Sequence, residues 1–155
     1  LEEVLATSQL NVQTDLSSAL HQIADLIHKR SLVIVFSDML QTADSDKRSD
    51  QIFSALQHLK FNKHEVVIFN VIDKTKELDF NFENRPYEFV DMETGAILKA
   101  HTVKVKDAYL QQMNEHRKNL ALKCAQYKID LVDADINAGF KPILEAYLIK
   151  RQKMN

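Results

Sequence analysis

The sequence predicts an α/β fold, a three-layer sandwich around a mainly parallel sheet with a small β-hairpin excursion. Three observations predict it. Ser31 to Asp38 and His64 to Ile72 each hold an apolar run too short for a helix and rich in β-branched residues, as buried parallel strands are. Helix-period segments precede and separate these runs, so strand and helix alternate along the chain. A shorter third run, Ile129 to Val132, follows another long helical pattern.

Leu1 to Leu10 reads as the tail of a helix followed by a polar connection. Beginning inside an amphipathic pattern, with no Met, it reads as part of a longer chain. Thr14 or Asp15 is placed to cap the next helix. Leu16, Ala19, Leu20, Ile23, Ala24 and Ile27 recur at helical spacing and define its buried face. His28, Lys29 and Arg30 fall in its expected last turn, where cations favour the negative helix end. The first strand follows at once and reads as covered on both faces, at the centre of the sheet.

Gln41 to Asp50 is polar and reads as a surface loop. It leads to a helix from about Ser49 to Lys60, with Ile52, Phe53, Leu56 and Leu59 inward. The second strand follows, and a strand–helix–strand unit of this length calls for a right-handed crossover. Beyond it, Phe80 and Phe82 alternate with polar residues. Tyr87, Phe89 and Val90 precede Asp91-Met92-Glu93-Thr94-Gly95, and Ile97 and Leu98 come after, which is the pattern of a hairpin. From about Val105 to Tyr127 the period is helical again, with Ala108, Tyr109, Met113, His116, Leu120, Cys124 and Tyr127 on one stripe. Gly139 and Pro142 bracket a last helix start, and Pro142 suits its first turn. Ile143, Leu144, Tyr147 and Leu148 form that helix's apolar face.

Composition removes several classes of function. Hydrophobic residues at 45% and a net charge of −2 suit one folded domain over residues 1–155 and give no basic surface for nucleic acid or membrane. Lys104, Lys106, Arg117, Lys118 and Lys123 spread around a helix as a solvated face. Two Gly cannot build a glycine-rich phosphate loop, which removes P-loop and dinucleotide-binding readings. The single Cys124 cannot form an internal disulfide and sits where a small core residue belongs. No apolar run is long enough for a bilayer and no signal peptide is visible, so a cytoplasmic location is expected. The six His form no ligand-spaced pair along the sequence, and His58 and His64 read as solvated residues flanking a turn.

What remains is a set of acids. Asp38, Asp73 and Asp133 each stand where a strand ends, with Asp135 just beyond, and parallel strands would align them along one rim. Ligands of open parallel sheets bind beyond the carboxyl ends of the strands, and hard carboxylate oxygens suit Mg²⁺ or Mn²⁺. Asp also favours such positions because it accepts bonds from free backbone N–H groups.

Several stretches together carry a resemblance. Thr14-Asp15-Leu16-Ser17-Ser18-Ala19-Leu20, followed by Arg30-Ser31-Leu32-Val33-Ile34-Val35-Phe36-Ser37-Asp38, resembles the middle of a von Willebrand factor A-type domain. More narrowly it resembles the bacterial "domain of unknown function" family numbered fifty-eight. His64-Glu65-Val66-Val67-Ile68 with Asp73 and Glu77, Asp91-Met92-Glu93-Thr94-Gly95, and Phe140 to Arg151 support it. The resemblance implies the C-terminal part of a Rossmann-like A-type domain whose first three strands lie upstream of Leu1. It also implies a metal-ion-dependent adhesion site holding Mg²⁺ or Mn²⁺, in which Thr14 and Asp38 match two ligands. The Asp-x-Ser-x-Ser motif of that site is nowhere in the chain, so the site is incomplete and binding should be weak; Asp73 and Glu77 are further rim acids. The implied function is a non-catalytic protein-binding or scaffolding module, with a MoxR-type AAA+ ATPase as partner. In an A-type domain the fourth strand pairs with the first, so with the first strand upstream of Leu1 the resemblance leaves strand 32–36 as an apolar edge, from which a homodimer is expected. The alternatives are a metal-assisted hydrolase or phosphotransfer enzyme using Asp38 and Asp73, and a structural domain without an ion.

Overall fold

The structure is a computed structural model that describes residues 15–91 and 95–152. Its centre is a three-stranded parallel sheet of β1 (Leu32–Ser37), β2 (Glu65–Ile72) and β5 (Asp130–Asp135), in the order β1-β2-β5. Pairing runs from Leu32 opposite Glu65 to Ser37 opposite Asn70, and from Val67 opposite Asp130 to Ile72 opposite Asp135. β3 (Pro86–Val90) and β4 (Ile97–His101) form the expected antiparallel hairpin as a separate sheet. Gly95 beside its turn has φ +72°, a conformation glycine adopts without penalty; Met92 to Thr94 lie outside the described residues.

The helices are α1 (Leu16–Leu26), α2 (Gln41–Asp44), α3 (Asp46–Phe61), α4 (Thr102–Gln126) and α5 (Phe140–Gln152). Asp15 caps α1, its Oδ1 accepting from Ser18 N at 3.2 Å. Ser45 caps α3 in the same way through Arg48 N, at 3.2 Å. The stretch read as a loop therefore holds α2 and the start of α3: the Ser45 cap lets a polar segment enter a helix without apolar periodicity. α1 ends at Leu26, so His28, Lys29 and Arg30 follow the helix and leave its last turn without a basic residue.

One sheet face is fully packed. Leu20 and Ala24 of α1, Ile52, Leu56 and Leu59 of α3, and Leu120 and Cys124 of α4 close over Val33, Val35, Val66, Ile68 and Ile129. Each Val, Leu or Ile side chain buried this completely contributes roughly 1.5–3 kcal/mol. Cys124 is a core residue as expected, and burial pushes its thiol up to about 11. The opposite face carries a smaller cluster of Val67, Phe69, Ala134 and Tyr147, with Val132 and Ile143 against it. This cluster is α5 lying over β2 and β5. Arg151 fastens the end of α5 by donating to Tyr147 Oη and to Glu65 Oε2, at 2.7 and 3.0 Å.

β1 departs from the expectation. Val33 and Val35 are each 8% exposed, but Leu32, Ile34 and Phe36, which point the other way, are 39%, 44% and 68% exposed. Among the described residues its one neighbour is β2, and the cover of α5 ends at Phe69. The Phe36 ring stacks on Phe69 at 5.0 Å and is open beyond it. The strand buried on both faces is β2.

Candidate functional site

The three parallel strands end on one side, and the acids there divide by what their oxygens already do. Asp73, directly after β2, caps a π-helical turn over Lys74–Leu78. Its Oδ1 accepts from Thr75 Oγ1 at 2.6 Å, Asn137 Nδ2 at 2.8 Å and Lys76 N at 3.2 Å. The Thr75 hydroxyl and the Asn137 amide hold its carboxyl below the ordinary Asp range. Asp135, the last residue of β5, accepts from Asn137 N and Nδ2, each at 3.1 Å, and from Lys74 N at 3.3 Å. Its pKa is lowered too, first by the Asn137 backbone N–H. Asn137 thus ties the ends of β2 and β5 together, and both acids serve the turns they begin.

Asp133 is not a strand-end acid. β5 runs three residues beyond the apolar run that ends at Val132, because pairing with β2 continues to Ile72 opposite Asp135. This places Asp133 beside Asn70, whose Nδ2 donates to it at 3.0 Å, while Arg117 of α4 forms an ion pair with it. Asn70 is 3% exposed, and among the described residues its Oδ1 has no hydrogen-bond partner.

Asp38 differs from these. It is exposed one residue beyond β1, and its Oδ1 accepts from Leu40 N at 3.1 Å. The chain around it is fixed by Met39, which is 1% exposed at φ 54°, a left-handed conformation costing a non-glycine residue roughly 1–3 kcal/mol. Met39 N donates to Ser37 Oγ at 3.0 Å, and Met39 O accepts from Thr42 Oγ1 at 2.6 Å. A buried side chain and two bonds hold that turn, and with it Asp38, in one place.

Two further ionisable groups feel the charge of Asp38. Glu77, whose Oε1 accepts from Asp73 N at 3.1 Å, has its carboxyl raised by burial first and then by Asp38 and Asp73. Burial lowers His116 on α4, and the Asp38 charge opposes that shift. Tyr109, raised by burial and then by Glu77, completes the group. The sequence places His116 and Tyr109 on a core stripe; the structure leaves both half-buried and turned to this rim.

From the rim a cleft of about 680 Å³ runs between α2–α3 and α4, lined by Leu40, Phe53, Met113, His116, Leu120 and Lys123 among others. Lys123 Nζ donates to Ser49 Oγ at 2.8 Å and Asp50 Oδ1 at 3.0 Å, and lies 5.3 Å from the Phe53 ring centroid. No sequence motif marks this cleft, because its two walls lie more than fifty residues apart.

Thr14, the other residue matched to a metal ligand, lies outside the described residues. Among the described residues no group of three or more His, Cys, Asp or Glu is placed to hold a metal ion. Nor is any described helix long and apolar enough to cross a membrane.

No curated protein matches the chain, and no solved structure does. The family model described as "Protein of unknown function DUF58" matches residues 1–119. The match spans well over half of the 155 residues, and the chain belongs to that family.

Proposed function

We propose that this chain is a non-catalytic protein-binding or scaffolding module whose contact surface is β1, from its open edge to Asp38. The observation that carries this reading is that β1, which among the described residues pairs with β2 alone, also exposes Leu32, Ile34 and Phe36. An apolar strand edge recruits another chain, and contiguous exposed apolar side chains mark interfaces in soluble proteins. A second copy suits the surface: two β1 edges pair around a two-fold axis and shield the same residues on both sides.

The resemblance to an A-type domain supplies the finer reading. A Mg²⁺ or Mn²⁺ ion held by Asp38 and Thr14, with ligands from upstream, would offer a coordination position to a partner's carboxylate. A cytoplasmic MoxR-type AAA+ ATPase is the partner the resemblance implies. The fixed position and exposure of Asp38 support this role. The alternative hydrolase or phosphotransfer reading needs free oxygens on both Asp38 and Asp73. Asp73 Oδ1 already accepts from three donors in the turns around it, so that oxygen serves the local structure.

Two measurements test the proposal. Sedimentation velocity at tens of micromolar should show a dimer that Ile34→Lys converts to monomer; a monomer in the wild type contradicts self-pairing. Calorimetric titration of Mg²⁺ and Mn²⁺ into the protein extended upstream should show binding that Asp38→Ala abolishes. Equal heats in both proteins contradict the ion site.

A further inference from the structure

His21 on α1 and His58 on α3 stand 37 residues apart in sequence, yet their Nδ1 atoms are 3.3 Å apart. The rings are tilted at 47°, with centroids 5.6 Å apart. From this pair we infer a transition-metal site, with Zn²⁺ as its natural occupant, bridging α1 and α3.

The distance is the first argument. Two nitrogens each about 2.0–2.1 Å from one tetrahedral ion stand roughly 3.3–3.4 Å apart. The pair therefore needs almost no movement to become two ligands of one ion. The second argument is the carboxylate behind the pair. Asp25 Oδ1 lies 3.8 Å from His58 Nε2, on the ring edge away from His21. A metal-bound imidazole commonly turns its other N–H to a carboxylate, which fixes the tautomer and makes the ligating nitrogen a better donor. Asp25 favours the proton on His58 Nε2 and so leaves the His58 Nδ1 lone pair facing His21. Without metal, one of the two Nδ1 atoms donates to the other. With metal, the His21 proton sits on Nε2, and both Nδ1 lone pairs point to the ion.

Access and anchoring fit as well. The His58 side chain is 33% exposed. His21 borders a surface depression that Asp15, Ser18, Asp50 and Gln51 also line, so water reaches the ion and completes its shell. The two helices are already joined nearby, by Ser17 Oγ donating to Gln51 O and Asn62 Nδ2 donating to Ala24 O, each at 3.1 Å. The ion would be a further link across the same seam. Imidazole nitrogen suits Zn²⁺, Cu²⁺ and Ni²⁺ better than Mg²⁺, which separates this site from the acidic rim.

The test is titration of Zn²⁺ into the untagged, chelator-treated full chain, followed by the ring ¹⁵N resonances of its six histidines. The Nδ1 resonances of His21 and His58 should move together and saturate at one equivalent, with the other rings unchanged. His21→Gln and His58→Gln should each weaken binding at least about 10-fold, and Asp25→Asn by roughly 10-fold. Unmoved Nδ1 resonances at one equivalent of Zn²⁺ would overturn the site. So would an affinity unchanged by either His substitution. The wild-type resonances decide the matter even if a variant fails to fold.

Discussion

β1 and β2 are adjacent strands written in nearly the same alphabet, Leu-Val-Ile-Val-Phe against Val-Val-Ile-Phe, and they live in different surroundings. β2 has a strand on each side and helices over both faces, so Val66 to Phe69 are at most 2% exposed. Among the described residues β1 has one strand beside it and one covered face, with Ile34 at 44% and Phe36 at 68% exposure. Composition selects the strand; the neighbours decide how much of it is hidden. An apolar strand left half open has a surface to fill, and that difference underlies the binding reading.

The largest test of this contrast exchanges one isoleucine at a time. Ile68→Ala, in the packed core of β2, should cost about 2–5 kcal/mol in urea unfolding. Ile34→Ala, on the open face of β1, should cost under about 1 kcal/mol in the monomer. Similar losses would mean that β1 is covered after all.

A second test asks whether the sheet's polar row is structural. Asp133→Ala removes the acceptor for the buried Asn70 amide and the partner of Arg117. It should lower stability by about 1–3 kcal/mol, the cost of leaving a buried donor unpaired. A neutral result in thermal unfolding would return Asp133 to the candidates for binding.

A smaller effect belongs to α1, the helix beside the open strand. Asp15→Ala removes its cap and should cost about 1 kcal/mol, read from the unfolding midpoint.

The smallest is a pH effect at the rim. The Glu77 carboxyl is raised from 4.5 by burial and by Asp38 and Asp73. Between 4.5 and its raised folded value the folded protein binds more protons than the unfolded one, so stability falls as pH rises through that window. Asp73 and Asp135, lowered from 3.8, act oppositely: their contribution is present above 3.8 and is lost as pH falls through their folded values. Glu77→Gln should therefore raise the melting temperature near neutral pH and lose that advantage well below 4.5. An equal shift at both pH values would assign the effect to packing instead.

Much of this architecture was legible in the residues. The apolar runs marked the three parallel strands, Asp15 marked a helix start, the aromatic alternation before Gly95 marked the hairpin, and the stripe around Leu120 and Cys124 marked the core. What escaped was decided by pairs distant in sequence. Nothing in Leu32 to Phe36 says that α5 stops at Phe69. Asp133 reads as a strand end because apolar character stops at Val132, although pairing carries the strand to Asp135. His64 reads as solvated beside a turn, yet it is 2% exposed and its Nδ1 accepts from Ser31 N. His21 and His58 each sit at the margin of a helix's buried face, and only the packing of the two helices brings them together. Of the candidate site, the sequence named Asp38 and the other acids; that His116, Tyr109 and a cleft lie beside them needed the fold.

The most direct measurement is amide hydrogen exchange along residues 32–37 as a function of protein concentration. The amides of β1 that point away from β2 should exchange fast in dilute protein and become protected at tens of micromolar, in step with dimer formation. Fast exchange of those amides at every concentration, in a protein that sediments as a monomer, would contradict the pairing of β1 with a second copy.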